Sequence, residues 1–501
     1  MRFHVLTKEN LQKLAKEKLS DYHLVVVSNR EPYIHVIKEK QIKCIKPASG
    51  LVTALDPVVK ACSGIWVAHG SGNADKMVVD EANTIVVPPG VDKKSSTYTL
   101  KRVWMSKEEE NGYYYGFSNR GLWPLCHIAY TRPIFQHSDW MHYANVNERF
   151  ANAILEEIKG KQAFIFIQDY HFALLPKFLK EKRPDLNVAQ FWHIPWPNPE
   201  AFRICPWKKE ILEGLLANDL LGFHLRYFCD NFLETIDREI EARIDRERFS
   251  IFKEGKETLI RSYPISVDFE ETSSLASSKI VQKEMEKFKE EFDLDDKFVL
   301  FGLDRLDYTK GIPEKLRAFD RFLEKYPQYI GKIVLVQKGT LSRIHIQEYK
   351  NLNDEINSLV EKLNWKYSNN SWFPVLLTRR DLNYEEILAL YNLADVCIVS
   401  SLHDGMNLVS KEFIASRNDE DGILMLSQFA GASSELAEGS IIINPYDTEE
   451  FAEKIKEAIE MPKRERCKRI KNLRQVVSEN NIYEWISKVI SDLADLKNNY
   501  K

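Results

Sequence analysis

The sequence predicts an α/β protein built from two parallel sheets, one in each half of the chain. Short apolar runs alternate with longer segments whose apolar positions repeat at helical spacing. This alternation is typical of βαβ units, whose strands are parallel. The pattern begins near residue 24 and restarts near residue 298. We therefore expect two sheets, with ligands bound at the carboxyl ends of their strands.

In the first half of the chain, four predicted strands lead directly into hydrogen-bonding side chains. These strands and the polar residues after them are Leu24–Val27 before Ser28–Arg30, Ala163–Ile167 before Gln168–His171, Val188–Trp192 before His193, and Leu220–Phe223 before His224. Helical patterns lie between them, for example Glu210–Leu216 after Pro206. Polar groups at the carboxyl ends of strands are expected to face a ligand.

The second half repeats the pattern after a linker. Its predicted strands are Phe298–Leu303, Ile333–Val336, Val396–Val399 and Gly422–Leu426. The predicted linker is Tyr263–Asp268 with the charged helical sequence that follows through Phe292, so the domains are placed at 1–265 and 266–475. The basic stretch Lys463–Arg474 is interpreted as a solvated helix face, because Glu465 and apolar positions interrupt its cations.

Composition and charge narrow the function classes. The 501 residues are 44% hydrophobic and 29% charged, which is typical of a globular protein with a substantial core. The net charge of −4 gives no positive field for a polyanion, so nucleic acid is not an expected partner. Seven scattered cysteines without CxxC spacing indicate reduced thiols in the cytoplasm. Without an apolar leader or a run of ~18 apolar residues, no membrane association is expected; the oligomeric state stays open, a homo-oligomer included.

Common cofactor and metal motifs are absent from the sequence. It contains no GxGxxG after a predicted strand, no GxxxxGK[ST] and no HExxH. Asp293-Leu294-Asp295 has the DxD form of a metal-bound diphosphate site, but its charged surroundings ahead of a strand favour a solvated turn. We therefore expect neither a cofactor nor a metal.

The segment Gly302–Gly311 is a candidate diphosphate site. It places Arg305 and Lys310 after a predicted strand, with the carboxylate of Asp307 between them. Two cations at the end of a strand can neutralise the charge that develops on a nucleoside-diphosphate leaving group. An internal ion pair of Arg305 with Asp304 or Asp307 explains the spacing equally well, so both interpretations stay open.

A second candidate site is the segment Ser400–Glu412, where a strand leads into a glycine-containing loop. A helix predicted to begin near Asn407 would offer free amide groups and the positive end of its dipole to a phosphate. Glu412, in the first turns of that helix, could accept both hydroxyls of a ribose. The alternative is that Asp404 only caps the helix, which would explain Asp404 but not the remaining residues.

Eight ordered motifs resemble glycosyltransferase family 20, whose best-known members are trehalose-6-phosphate synthases. They are SNR, YYGFSNRGLWPLCH, QDYH, FWHIPWP, DRLDYTKG, Leu341-Ser342-Arg343, DGMNLVSKE and LSQFAGASSEL, and the resemblance extends from about residue 24 to residue 490. It implies the GT-B fold, in which two Rossmann-like domains face each other across a cleft. It also implies that a C-terminal helix, within 476–501, crosses back to the first domain.

The resemblance further implies donor-site roles for individual residues. The donor diphosphate would lie on Arg305 and Lys310, the ribose on Glu412, and the hydroxyls of the donor sugar on Asp404. His193 would face the transferred glucosyl group, although a single histidine after a strand is more often a structural polar residue. The implied catalytic residues are Arg305, Lys310, His193 and Asp404, and the implied donor-binding residues are Arg305, Lys310, Asp404, Gly405, Met406, Asn407, Leu408, Val409, Glu412 and Gly50.

The implied acceptor site is assembled in the same way. Arg30, Tyr114 and Arg343 resemble the clamp on the acceptor's phosphate, a task that suits the forked guanidinium group. Trp123 is similar to the aromatic floor under the acceptor, although a tryptophan in GLWPL would by itself be interpreted as core. Asp169 would contact the acceptor sugar.

Three positions depart from the family pattern. Ser49-Gly50-Leu51 stands where the family usually has Gly-Gly-Leu, which keeps the tight turn possible. His69, counted with the acceptor site, stands where trehalose-6-phosphate synthases have a tryptophan. His403 replaces an arginine that often precedes DGMNLV. These departures leave the identity of the acceptor open without affecting the donor diphosphate site.

The activity that the resemblance implies is retaining transfer of glucose from a nucleotide-glucose, UDP-glucose in particular, to a phosphorylated acceptor. Glucose 6-phosphate is the leading acceptor and would give α,α-trehalose 6-phosphate; glycerol 3-phosphate is the alternative. A catalytically silent sugar-phosphate sensor is a further alternative, which would be expected to lose parts of the diphosphate site. A phosphorylase of the same fold would need a lysine site for pyridoxal phosphate, and none is evident.

Overall fold

The structure, a computed structural model, describes residues 6–19, 22–47, 50–91, 97–343, 345–369 and 372–499. These residues form two compact units. One unit contains the described residues up to Ile265 together with the final helix from Ile482 onward, and the other is Ser266–Asn481.

The first unit contains a large mixed sheet and a separate hairpin. Its strands are β1 (His23–Arg30), β2 (Ile34–Lys38), β3 (Gln41–Ile45), β4 (Ile65–His69), β5 (Thr84–Val87), β6 (Tyr98–Val103), β7 (Ala163–Gln168), β8 (Asn187–Phe191), β9 (Leu220–Phe223), β10 (Arg243–Asp245), β11 (Ser250–Lys253) and β12 (Lys256–Ser262). In the described part of the chain, β2 pairs only with β3, and the other strands form one sheet in the order β10-β11-β12-β9-β8-β7-β1-β4-β6-β5.

Helices connect these strands. They are α1 (Lys8–Leu19), α2 (Gly50–Ala61), α3 (Asp75–Val78), α4 (Lys107–Glu110), α5 (Trp123–His127), α6 (His137–Ile158), α7 (Leu175–Lys182), α8 (Pro199–Phe202), α9 (Lys208–Leu215) and α10 (Arg226–Glu239). A π-helix over Asn111–Leu122 joins α4 to α5, and a short 3₁₀ turn covers Tyr170–Phe172.

The four predicted strands of the first half are confirmed, and they lie side by side as β1, β7, β8 and β9. The edges of the sheet differ from the expected parallel arrangement, because β5, β10 and β11 are antiparallel to their neighbours. Strands β11 and β12 are antiparallel because the two-residue turn Glu254-Gly255, in which both residues have positive φ, connects them. Such a turn joins only antiparallel strands.

The second unit has a parallel six-stranded sheet in its described residues. Its strands are β13 (Phe298–Arg305), β14 (Ile333–Thr340), β15 (Val375–Thr378), β16 (Val396–Val399), β17 (Ile423–Ser427) and β18 (Ile441–Ile443). Its helices are α11 (Phe269–Ala276), α12 (Lys279–Phe292), α13 (Ile312–Lys325), α14 (Gln347–Tyr367), α15 (Tyr384–Leu393), α16 (Leu408–Ser416), α17 (Ser433–Leu436), α18 (Thr448–Glu460) and α19 (Lys463–Glu479), with 3₁₀ turns at Tyr308–Lys310, Pro327–Tyr329 and Ala437–Gly439.

Strand order fixes where each unit can bind a ligand. The second sheet has the order β15-β14-β13-β16-β17-β18, in which the chain moves outward in one direction from β13 and in the other direction from β16. Connections on the two sides cover opposite faces, which leaves a crevice at the carboxyl ends of β13 and β16. The first sheet has the same reversal between β1 and β7. The crevices therefore fall at Arg30 and Asp169 in one unit, and at Arg305 and Ser400 in the other.

Apolar helix faces hold these sheets in place. In α13, the side chains of Leu316, Phe319 and Phe322 are fully buried and pack with β13 and β14 in the core of the second unit. Each fully buried side chain of this size contributes about 1.5 to 3 kcal/mol. The preceding turn, which carries Lys310, is thereby anchored.

The last helix, α20 (Ile482–Asn499), packs against α1 and α2 of the first unit. Asp492 on this helix accepts a hydrogen bond from the hydroxyl of Tyr263, which lies just after β12. The segment expected to return to the first domain began at residue 476, which lies inside α19. Among the residues with a described structure, no helix is both long enough and apolar enough to span a membrane.

Candidate active site

The crevice of the second unit contains a pair of opposite charges at the ends of β13 and β16. Nζ of Lys310 lies 2.5 Å from Oδ2 of Asp404, and the two side chains are only 11% and 14% exposed. The hydroxyl of Ser401 and the side-chain amide of Asn407 each donate to the same carboxylate oxygen at 3.2 Å. Three side chains thus hold the carboxylate of Asp404, and one of them is the cation Lys310.

Close packing of two loops brings these charges together. Gly311 has a φ of +63°, and a Cβ at this position would lie 2.1 Å from the carbonyl oxygen of Ser400. The hydroxyl of Ser400 donates to the carbonyls of Lys310 and Gly311, both at 3.0 Å. Only glycine permits this approach, which explains the glycine that ends DRLDYTKG.

Helix α16 begins at Leu408, one residue after the predicted start near Asn407, and its cap is Asn407. The side chain of Asn407, which has a φ of +89°, accepts a hydrogen bond from the amide of Ser410 at 3.2 Å. The interpretation of Asp404 as the helix cap is therefore wrong, because Asn407 caps the helix and Asp404 instead forms an ion pair with Lys310. The amides of Leu408 and Val409 lie in the first turn, where no intrahelical acceptor exists, so they can bind an anion.

Two neighbouring residues on α16 carry charges in different environments. Lys411 is almost fully buried and forms an ion pair with Glu435 at 2.6 Å, which makes it a structural residue. Glu412 accepts a hydrogen bond from the hydroxyl of Tyr391 at 3.1 Å. Burial raises the pKa of Glu412 to about 7 despite this hydrogen bond. Its carboxyl group can therefore change charge near neutral pH.

The carboxylates beside Arg305 have cationic partners that sequence spacing did not indicate. Asp304 pairs with Lys315 of α13 at 3.0 Å, and Asp307 pairs with Arg343 at 3.4 Å. The hydroxyl of Tyr349 donates to Asp307 at 3.2 Å and accepts from Arg343 at 2.5 Å. Asp307 and Tyr349 together hold Arg343, whose φ of +50° is unusual for a residue with a side chain.

The charge of Asp307 is maintained by three cations. Burial would raise the pKa of this carboxyl group, but Arg343, Arg305 and Lys310 outweigh burial and hold the pKa below its ordinary value. A buried carboxylate that stays ionised can position cations around it. Asp307 therefore links the cations of DRLDYTKG with the arginine of the Leu341–Arg343 stretch.

In the first unit, Arg30 and His69 lie at the ends of neighbouring strands. A register shift in β1 between Ser28 and Arg30 sets Arg30 opposite His69 of β4. The indole of Trp66 donates to the hydroxyl of Ser28 at 2.8 Å, and that hydroxyl donates to the carbonyl of Arg30 at 2.6 Å. His69 donates from Nδ1 to the carbonyl of Val103 at 3.1 Å. Arg30 itself is exposed.

Asp169 occupies the other side of this crevice in a strained conformation. Its φ is +76°, and its Oδ1 accepts hydrogen bonds from the amides of Tyr170 at 2.9 Å and His193 at 3.2 Å. Its own amide donates to the carbonyl of Phe191 at 2.7 Å. Backbone strain of this kind persists only when surrounding contacts enforce it, and such strain is concentrated at functional sites.

His193 is held by Gln168, a residue that the sequence analysis did not assign to a site. Nε2 of His193 donates to Oε1 of Gln168 at 3.0 Å, which places the proton on Nε2. Burial lowers the pKa of His193 well below its ordinary value, and the nearby His224 and His171 lower it further. The imidazole is therefore neutral and acts through hydrogen bonds rather than as a cation.

The π-helix Asn111–Leu122 positions the aromatic residues of the first unit. Its Tyr114 stacks on His171, with ring centroids 5.6 Å apart and an interplanar angle of 8°. Trp123, which follows the π-helix directly, is almost fully buried, with its ring 5.9 Å from that of Tyr170. Asn119 joins the two segments by accepting from the hydroxyl of Tyr170 at 2.9 Å. π-Helical segments often occur at functional sites, and this one carries Tyr114.

The predicted residues thus fall into two groups, one in each unit. The first unit holds Arg30, His69, Tyr114, Trp123, Asp169 and His193, and the second holds Arg305, Arg343, Lys310, Asp404, Gly405, Met406, Asn407, Leu408, Val409 and Glu412. Gly50 begins α2, and Ser49 before it lies outside the described residues.

The acidic pair of the DxD sequence lies away from these groups. Asp293 and Asp295 are exposed in the turn between α12 and β13, at the amino end of that strand. Ligands of such sheets bind at the opposite edge. Within the described ranges, no group of three or more His, Cys, Asp or Glu side chains is arranged to hold a metal ion.

Three residues with a direct contact to the predicted site were missed by the sequence analysis. Tyr349 holds Arg343, Gln168 holds His193, and His171 stacks on Tyr114. Gln168 and His171 both lie in the sequence QDYH, so their position after a predicted strand was a usable signal. Tyr349 lies inside a helix and had no such signal.

Comparisons with known proteins agree with this geometry. The model of glycosyltransferase family 20 matches residues 22–495. A UDP-forming alpha,alpha-trehalose-phosphate synthase from Schizosaccharomyces pombe is 33% identical over 488 residues, which cover 96% of this chain and 91% of that protein.

Solved structures of the same kind superpose over nearly the whole chain. The trehalose-6-phosphate structure from E. coli bound with UDP-2-fluoro glucose has a TM-score of 0.83 and 31% identity, covering 94% of this chain and 99% of that one. An alpha,alpha-trehalose-phosphate synthase from Burkholderia xenovorans in complex with glucose-6-phosphate has a TM-score of 0.82 and 28% identity, covering 94% and 100%. The resemblance carried by the motifs is confirmed, as is the α/β fold with parallel sheets: the chain belongs to glycosyltransferase family 20 and is a glycosyltransferase.

Proposed function

We propose that this enzyme transfers glucose from UDP-glucose to glucose 6-phosphate with retention of configuration, giving α,α-trehalose 6-phosphate. The observation that carries the proposal is the pair of Lys310 and Asp404 at the crevice of the second unit, beside the free end of α16. A cation, a carboxylate and helix amides in one place suit the phosphate and the hydroxyl groups of a sugar nucleotide.

The donor is assigned to the second unit. In the proposal, Arg305, Lys310 and the amides of Leu408 and Val409 bind the diphosphate, and Glu412 accepts hydrogen bonds from the ribose. Asp404 binds hydroxyls of the glucose. The E. coli structure that this chain resembles was solved with UDP-2-fluoro glucose, which supports a uridine diphosphate donor here.

The acceptor roles are proposed residue by residue from the family resemblance. In the proposal, Arg30, Tyr114 and Arg343 bind the phosphate of the acceptor, Asp169 binds its hydroxyls, and Trp123 lies under its ring. Guanidinium groups bind phosphate with two parallel hydrogen bonds. The Burkholderia structure in complex with glucose-6-phosphate supports this acceptor class.

The proposed chemistry needs no protein nucleophile. The bond between C1 of glucose and the β-phosphate oxygen breaks, and the acceptor hydroxyl attacks C1 from the same face. The departing phosphate oxygen takes the proton of that hydroxyl. Arg305 and Lys310 neutralise the charge that grows on the diphosphate, an effect that removes several kcal/mol from such barriers.

A panel of donors and acceptors tests the proposal. The enzyme is incubated with UDP-, GDP- or ADP-glucose and with glucose 6-phosphate, glycerol 3-phosphate, glucose or glycerol, and products are read by mass. We expect trehalose 6-phosphate from UDP-glucose and glucose 6-phosphate, and an Asp404→Ala variant is the inactive control. Faster glucosylation of free glucose or glycerol than of their phosphates would contradict the proposal.

Glycerol 3-phosphate is the second candidate acceptor, and His69 is the observation that favours it. The imidazole of His69 is bonded to the carbonyl of Val103 and lies beside Arg30, where it offers a smaller and more polar surface than an indole. A shorter acceptor would need less apolar area. In the same panel, glucosylglycerol phosphate as the main product would favour this candidate over glucose 6-phosphate.

A further inference from the structure

A basic pocket in the first unit lies outside all of the residues assigned above. It has a volume of about 430 Å³ and lies where β12 ends and α10 begins. Its lining includes Arg226, Glu247, Arg248, Phe249, Arg261 and Ser262. We call it the Arg226 pocket. Three cations face one anion in a chain whose net charge is −4, so the pocket is a local concentration of positive charge.

The three arginines are weakly compensated by the protein. Arg261 donates from Nη1 to the carbonyls of Arg248, Phe249 and Ile260 at 2.9 to 3.2 Å, and no carboxylate of the described residues lies within 4.0 Å of it. The carboxylates nearest to Arg226 and Arg248 are at 3.7 and 3.6 Å, beyond hydrogen-bonding distance. Most guanidinium N–H groups of the pocket therefore remain available to a ligand.

The position of Arg226 works against the stability of its own helix. Arg226 is the first residue of α10, a helix of 14 residues that has no acidic residue in its first turn and no side-chain cap at Leu225. A cation at the positive end of a helix dipole is unfavourable, and acidic residues are the usual choice there. The guanidinium group is nevertheless fixed over the ring of Phe249, 3.2 Å from its centroid. An anion bound at this point would reverse the unfavourable interaction.

We propose that the Arg226 pocket binds the phosphate group of a small phosphorylated metabolite, at a site separate from the proposed donor and acceptor sites. A phosphate dianion would accept hydrogen bonds from the guanidinium groups of Arg226, Arg248 and Arg261 and from the first amides of α10. The volume matches ligands of sugar-phosphate size. Glu247 in the lining disfavours a second negative group, which favours a monophosphate over a polyphosphate.

Hydrogen–deuterium exchange locates the bound phosphate directly. The intact enzyme is compared in inorganic phosphate, in ribose 5-phosphate and in sodium chloride of equal ionic strength. We expect either phosphate compound to slow exchange of the amides of residues 226–229 and 248–253 at least threefold. Protection by both compounds at similar concentration indicates a site for free phosphate, whereas protection at lower concentrations of ribose 5-phosphate indicates a metabolite. Absence of protection by both would overturn the proposal.

Variants test the role of the arginines. Arg226→Gln/Arg248→Gln should lose the protection and bind phosphate at least tenfold more weakly in equilibrium dialysis. Arg243→Gln is the matched control, because Arg243 is also exposed and stacks on an aromatic ring, Phe252, but does not line the pocket. Equal protection in the double variant and the control would overturn the proposal. Should the double variant fail to fold by circular dichroism, Arg248→Gln alone and the wild-type exchange data decide the question.

Discussion

Replacing Asp307 with asparagine tests how the second unit positions the proposed phosphate ligand Arg343. The carboxylate of Asp307 is fully buried. One oxygen accepts from the amide and hydroxyl of Thr309 at 3.1 and 3.0 Å, and the other accepts from Arg343 at 3.4 Å and from Tyr349 at 3.2 Å. In Asp307→Asn, the new amide group would turn N–H donors toward the donors of Arg343 and Tyr349.

The expected magnitudes follow from these contacts. A hydrogen bond to a charged group contributes about 1.5 to 3 kcal/mol, and breaking a buried ion pair costs about 3 to 5 kcal/mol. We expect the free energy of unfolding to fall by about 2 to 4 kcal/mol, since the bonds to Thr309 can be kept. If loss of this hydrogen bond displaces Arg343, the KM for glucose 6-phosphate rises about 10- to 100-fold, because each factor of ten corresponds to about 1.4 kcal/mol.

Steady-state kinetics with each substrate varied in turn provide the assay, and urea unfolding gives the stability. Asp304→Asn is the matched control, because Asp304 is a buried carboxylate of the same segment whose partner is Lys315. We expect the control to lose stability but to keep its KM for the acceptor. Arg343→Ala sets the upper limit of the acceptor effect. An Asp307→Asn enzyme with the acceptor KM of the control would refute the positioning role.

Three further predictions concern the donor site. Arg305→Ala or Lys310→Ala should lower kcat by about 100-fold with an unchanged circular dichroism spectrum, because each removes charge stabilisation at the leaving diphosphate; near-normal kcat would contradict this role. Glu412 has its pKa raised to about 7 from an ordinary value of 4.5, so the folded state holds this proton more tightly than the unfolded chain, and stability should fall as pH rises from about 4.5 to 7. Glu412→Gln should flatten that fall in stability, as measured by thermal unfolding. We also expect the KM for the donor to decrease as pH rises through 7, and Glu412→Gln should remove this decrease. Activity should persist in excess EDTA, because Arg305, Lys310 and the start of α16 supply the positive charge; loss on chelation that a divalent ion restores would contradict this.

The elements that bear the site could be predicted because their signals are local. An apolar run followed by polar residues identified the strands that end at Arg30, Asp169 and Ser400, and a glycine-containing loop identified the start of α16. Helix α16 begins one residue after the predicted Asn407. These features depend on neighbouring residues in sequence, so periodicity and capping rules are sufficient to find them.

The partners of the charged residues could not be predicted because strand register sets them. Pairing of Asp304 with Gly339 in β13 and β14 brings Arg343 and α14 next to Asp307, so that Tyr349 reaches both. An ion pair within the segment Gly302–Gly311 was one of two open interpretations of the spacing. The structure adds cations from outside the segment, since Lys315 pairs with Asp304 and Arg343 pairs with Asp307. The π-helix around Tyr114 was missed for a related reason, since its stacking on His171 is a contact between distant parts of the chain.

The side chains assigned to the proposed reaction differ in charge. His193, the residue expected nearest the transferred sugar, is neutral because burial lowers its pKa, and its Nε2 proton is committed to Gln168. A neutral imidazole cannot offset the charge of a departing diphosphate. Arg305 and Lys310 are the cations proposed to bind the diphosphate, and Asp404 holds Lys310 in place. Because the charge develops on the leaving group rather than on a protein side chain, fixed cations at that group lower the barrier more than an acid that changes its protonation state.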